Sequence, residues 1–97
     1  MNQPVSRYNI EVRFHQSADK WAVPRRDAAH VARYPIRVVV LEDNDQYKEL
    51  RIDFGLDGRP LEVVMLGDPA GSISWLLIHA MPLRKYYHKY LPGQDRG

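Results

Sequence analysis

Five stretches of this chain read as strands, some by apolar–polar alternation with a period of two and some as short apolar runs, and two further stretches carry helical spacing. In YNIEVRF, Tyr8, Ile10, Val12 and Phe14 share one side and Asn9, Glu11 and Arg13 the other, which predicts a half-buried first strand. Ile36–Leu41 (IRVVVL) predicts a compact second strand. Gln46–Phe54 predicts a third, with Leu50, Ile52 and Phe54 inward and Tyr47, Glu49, Arg51 and Asp53 on the other side. Leu61–Leu66 is mostly apolar on both sides, with Glu62 the exception, as expected of a central strand covered on two faces. After a turn signal at Gly67-Asp68-Pro69-Ala70-Gly71, residues Ile73, Trp75, Leu77 and His79 alternate with Ser74, Leu76 and Ile78. This spacing places His79 at the end of a fifth strand, in phase with Trp75 and Leu77.

Ser17 is a candidate cap for a short helical turn over Ala18–Trp21. Pro24 suits the first turn of a longer helix, because the donor it lacks has no partner there. Ala28, Val31 and Ala32 form that helix's packed face, and Pro35 stops it. Its exposed side carries Arg25, Arg26, His30 and Arg33. A last helix is expected from near Pro82. Leu83, Tyr86, Tyr87, Tyr90 and Leu91 would form its packed face, and Arg84, Lys85, His88 and Lys89 most of the remainder. Short loops between the later strands predict an antiparallel meander. The expected architecture is a single α+β domain with its core at about residues 8–91, built as a small twisted antiparallel sheet with helices on one face. Two helical segments are N-terminal and one basic helix is C-terminal.

Ninety-seven residues suffice for one modest core. The absence of cysteine removes disulfides and thiolate-ligated metals. The opening MNQPVSRYNI has neither the apolar run nor the cleavage site of a signal peptide, and no stretch approaches the ~20 apolar residues that span a bilayer. A cytoplasmic protein with no membrane partner is expected. The net charge of +2 is unevenly spread. Residues 1–40 hold seven Lys/Arg against three Asp/Glu, residues 41–68 three against eight, and residues 69–97 four against one. Basic ends around an acidic middle suit a phosphate-rich ligand on one face and a charged partner on another, or simply a mixed solvated surface.

Glycine-rich phosphate loops, HExxH and GxSxG are all absent, and His15, His30, His79 and His88 lack ligand spacing, so neither a metal nor a cofactor is expected. A second pattern is more suggestive. His15 and His79 both end predicted strands, Lys20 follows His15 closely, and Arg84 and Lys85 open the last helix. Cleavage of RNA needs a base for the 2′-hydroxyl, an acid for the leaving 5′-oxygen and positive charge on the phosphate. Histidine, arginine and lysine supply these, and tyrosine or tryptophan can stack on bases. Each residue also has a structural reading. His79 and His15 can be strand-end histidines, Trp75 core, and the tyrosines a packing face. Glu62 can pair with Arg51 or Arg84, or act as a base. Cations at a helix N-terminus oppose the helix dipole, and a bound phosphate would offset that.

The segments HQSADKWAVPRRDAAHVARYP, GRPLEVVMLG and SWLLIHAMPLRKYYHKY, in that order, resemble the BrnT-like branch of the RelE/ParE-like toxins of bacterial toxin–antitoxin systems. The resemblance implies a ribonuclease that arrests translation by cutting mRNA, free or on the ribosome. It also implies a cognate antitoxin, typically a small DNA-binding protein. Lys20, Arg51, Arg84 and Tyr90 fall at the family's basic and aromatic positions. The chain departs from the family at Lys20-Trp21-Ala22, where a KHG-like block is usual, and in a final segment that mixes Tyr86, Tyr87 and His88 among its cations. The resulting expectation has His79 or Glu62 as base, with Lys20, Arg51 and Arg84 on the phosphate. His15 is the acid, with Tyr87 or Tyr90 as alternatives, and Lys85, Tyr87, Tyr90, Arg25 and Arg26 contact substrate. Two rival readings are a nucleic-acid-binding module without catalysis and an inactive toxin-like subunit that binds only protein.

Overall fold

The computed structural model describes residues 10–43, 46–67 and 74–93. The turn expected at Gly67–Gly71, the connection through Asn44 and Asp45, and the chain ends at Tyr8 and Gln94–Gly97 lie wholly or partly outside those residues. The chain forms an α+β domain in the order β1 (Glu11–Phe14), a 3₁₀ turn (Gln16–Asp19), α1 (Arg25–Arg33), β2 (Arg37–Asp43), β3 (Gln46–Phe54), β4 (Pro60–Gly67), β5 (Ser74–Pro82) and a closing 3₁₀ helix (Lys85–Tyr90).

The five strands form one sheet in the order β1-β5-β4-β3-β2. Strands β2 to β5 make the expected antiparallel meander. Strand β1, whose place the sequence left open, joins β5 in parallel, with Glu11 beside Ser74 and Phe14 beside Leu77. The crossover that parallel pairing requires runs through α1 and the meander.

Both faces of the sheet are covered, which departs from the expectation of helices on one face. Ala28, Val31 and Ala32 of α1 pack with Leu61, Val63, Met65, Trp75, Leu77 and Ala80 on one face. On the other face Leu50, Ile52, Leu83 and Leu91 cluster with Val39, Val64, Tyr87 and Tyr90 beneath the closing 3₁₀ helix. Strand β3 therefore has no solvent face at its centre. Arg51, 2% exposed, lies on the helix side with Glu49. Its guanidinium donates to Glu49 Oε1 at 2.9 and 2.7 Å and to the Ala32 carbonyl at 2.7 Å, and stacks 4.7 Å from the Trp75 ring. The Tyr47 hydroxyl donates to the other Glu49 oxygen at 2.7 Å. These bonds make burial of the charge pair tolerable.

Three local features position the rest. Asp27, in the first turn of α1, is buried and accepts the Leu56 amide at 3.2 Å, which ties the helix to the β3–β4 turn. Gly58 closes that turn at φ 86°, a value that favours glycine. The cap of the first 3₁₀ turn is His15 rather than Ser17, because the imidazole accepts the Ser17 amide.

Candidate active site

A break in the β4–β5 ladder creates the site. Leu66 and Met65 align with Leu76 and Leu77, whereas Val64, Val63 and Glu62 align with His79, Ala80 and Met81, so Ile78 is an extra residue in β5. This β-bulge reverses the side-chain phase of everything after it. Trp75 and Leu77 face α1, and past the bulge it is Ala80, not His79, that joins them. The alternation read from the sequence put His79 in phase with Trp75. The structure instead turns it to the opposite face, where its side chain is 30% exposed. The first 3₁₀ turn braces the bulge, for the Ser17 hydroxyl donates to the Ile78 carbonyl at 2.6 Å and the His15 amide to the Leu77 carbonyl at 3.0 Å.

On that face Glu62, diagonally across the ladder from His79, is fully buried. Its Oε1 accepts the Arg84 amide at 3.0 Å, Arg84 Nε reaches both carboxylate oxygens at 3.1 Å, and Nη2 reaches Oε2 at 2.7 Å. His79 Nε2 lies 3.4 Å from Oε2. That atom is buried without a properly aligned hydrogen bond, so the contact is an attraction between ring and carboxylate. Burial by itself would raise the Glu62 carboxyl. The neighbouring His79 and the Arg84 bonds outweigh it and hold the group down at about 2, and the short, aligned Arg84 bonds are the stronger part. Glu62 is therefore ionised at neutral pH and resolves its own ambiguity: it pairs with Arg84, not Arg51. It also supplies the anion that offsets a cation opening the closing 3₁₀ helix.

From Arg84 a ladder of rings and cations runs along that helix. The Arg84 guanidinium sits 5.2 Å from the Tyr87 ring, and Tyr87 and Tyr90 stack at 6.2 Å. Arg37 and Lys89 lie 5.9 and 5.5 Å from Tyr90. Tyr86, expected in the packed face, is instead among the most exposed apolar rings.

The fold thus brings together His79, Glu62, Arg84, Tyr87 and Tyr90, with Lys85 exposed beside them. His15 is carried to the neighbouring stretch of β5 by its backbone bond. Its Nδ1 lies 3.1 Å from the Ser17 amide nitrogen and 2.8 Å from the Ser17 hydroxyl, which fixes the ring beside the bulge. Three expectations fail on placement. Arg51 cannot share a phosphate with Arg84, because it is buried under α1 on the opposite face and occupied by Glu49 and Ala32. Arg25 is paired with Asp19 at 2.7 and 3.1 Å, and with Arg26 it belongs to α1, across the sheet from Arg84. Lys20 lies against Trp21, 5.5 Å from the ring centroid, at the turn before α1. Sequence reasoning missed the bulge. Its signal was a histidine falling in an otherwise apolar phase, followed by an alanine that fits that phase better.

Among the described residues no group of three or more His, Asp or Glu side chains is disposed to hold a metal ion, and no helix is long and apolar enough to cross a membrane. No protein-family model matches the chain, and no curated protein or solved structure is significantly similar to it.

Proposed function

We propose that this chain is a metal-independent ribonuclease of the toxin type, with His79 as the group that moves the proton. The observation that carries the reading is the His79–Glu62–Arg84 cluster: a partly exposed imidazole backed by a buried, ionised carboxylate beside a half-exposed guanidinium. A carboxyl held at about 2 is too weak a base near neutrality, so Glu62 is not the base. Behind a histidine it does what an orienting carboxylate does, fixing the ring and favouring the imidazolium that forms on proton uptake. With Nε2 toward Glu62, Nδ1 accepts the 2′-hydroxyl proton. The 2′-oxygen attacks the adjacent phosphorus, the P–O5′ bond breaks, and the 5′-oxygen takes a proton from His15 or from Tyr87 or Tyr90. The products are a 2′,3′-cyclic phosphate and a 5′-hydroxyl. Arg84 grips Glu62 through Nε and Nη2, and its Nη1 stabilises the phosphate. On this reading the protein acts in the cytoplasm and is held in check by a small DNA-binding antitoxin.

The test is incubation of the purified, partner-free protein with defined RNA in EDTA, beside His79→Ala and Arg84→Ala. Cleavage to cyclic-phosphate ends should fall at least about a hundredfold in His79→Ala, the usual share of a general base. Full cleavage by that variant, or no cleavage by the wild type on either free RNA or translating ribosomes, overturns the assignment. The ring-and-cation ladder favours a second reading, binding without scission, which the same assay identifies as salt-sensitive RNA retention with intact strands.

A further inference from the structure

We infer that the cleft beside Trp21 is a nucleobase subsite, in which an unstacked base of single-stranded RNA lies against the indole while Lys20 and Arg59 hold its phosphates. The inference rests on RNA being the ligand but not on cleavage. Tryptophan is the largest apolar side chain, and a small domain ordinarily buries it. Trp75 follows that habit at 6% exposed, while Trp21 is 48% exposed. The outward placement is built into the backbone. Ala22, next in the chain, holds φ 58°, a left-handed conformation that costs a residue with a Cβ about 1 kcal/mol. Across this residue the chain passes from exposed Trp21 to Val23, which is buried in the core under α1.

The indole lines a cleft of about 270 Å³ together with Arg59, Leu61 and Pro82. Lys20 Nζ is 5.5 Å from the ring centroid. Arg59 bonds Asp57 through Nε at 2.6 Å, and its side chain is 67% exposed. A flat apolar wall with two cations at hand complements a base that carries its own phosphates. The cleft lies on the α1 side of the sheet, where Val23 and Leu61 pack into the core, whereas Glu62 and Arg84 meet on the opposite face.

The experiment uses a 2′-O-methyl decaadenylate, which lacks the attacking hydroxyl and stays intact. Binding is read by anisotropy of a labelled copy and by intrinsic tryptophan fluorescence. Expected are quenching of the wild-type emission, loss of that quenching in Trp21→Phe with affinity kept within about threefold, and affinity about tenfold weaker in Trp21→Ala, the scale of one base–aromatic stack. Thermal melts verify that both variants fold, and Trp21→Phe keeps the test decisive if Trp21→Ala does not. Unchanged affinity in folded Trp21→Ala, or oligonucleotide binding without quenching, overturns the subsite. Quenching in a protein that cleaves no RNA therefore retains the subsite and removes the ribonuclease, whereas cleavage with no quenching does the reverse.

Discussion

Replacing Glu62 with Gln keeps the shape of the side chain and removes its charge. Glu62 is fully buried and titrates at about 2 where an unperturbed glutamate titrates at 4.5, so its ionisation favours the folded state by about 3 kcal/mol at neutral pH. The main counter-charge, Arg84, has a side chain 52% exposed, and water screens it, which brings the expected cost of Glu62→Gln to about 2 kcal/mol. The pH dependence has a definite sign. Between about 2 and 4.5 the unfolded chain binds a proton at this position that the folded chain does not. The stabilisation is thus complete above the unfolded value and is lost as pH falls through the folded one. Urea unfolding of both proteins, followed by circular dichroism at pH 7, 4.5, 3 and 2, should give a gap of about 2 kcal/mol at pH 7 that closes by pH 2. A gap that does not change with pH, or a variant as stable as the wild type at pH 7, refutes the account of Glu62 as a buried ion held by Arg84.

Two further substitutions probe the other side of the sheet. Arg51→Met should cost about 3 kcal/mol in the same urea assay, because Glu49 stays buried with its principal partner gone and the Ala32 carbonyl loses a donor; a loss below about 1 kcal/mol would show that the site rehydrates. Gly67→Ala places a Cβ on the ring of buried Trp75 and should lower stability by at least about 2 kcal/mol, with a shifted tryptophan emission maximum as a second readout.

Local pattern carried most of the elements. The helix over Arg25–Arg33 follows from Ala28, Val31 and Ala32 at helical spacing between two prolines, and β3 and β4 fall almost where alternation puts them. What escaped was set by contacts distant in sequence. The alternation in β3 correctly separated Leu50 and Ile52 from Glu49 and Arg51. Alternation alone did not say what covers the second pair, and the crossing of α1 over that face buries it. The run Leu76-Leu77-Ile78 is apolar throughout, so period alone cannot reveal which of the three is extra; the pairing with β4 decides it. The closing segment has the residues of an amphipathic helix. Its grip on the sheet through Leu83, Arg84 and Leu91 winds it instead as a six-residue 3₁₀ helix beginning at Lys85, not near Pro82. At the site, His79, Glu62 and Arg84 were each legible as chemistry, but that they share one face was not.

The parallel seam between β1 and β5 sets the order of assembly. Glu11 aligns with Ser74, so β1 has no neighbour in the sheet until β5 exists. The hairpins from β2 to β5 can close locally, whereas closing the long loop back to β1 carries the larger entropic cost and should pace refolding. A nascent chain ending before Ser74 has nowhere to dock β1 and lacks Trp75, Leu77 and Ala80 from the layer beneath α1. The His79 cluster and the docking of the turn that braces its bulge consequently come into being in the same last step.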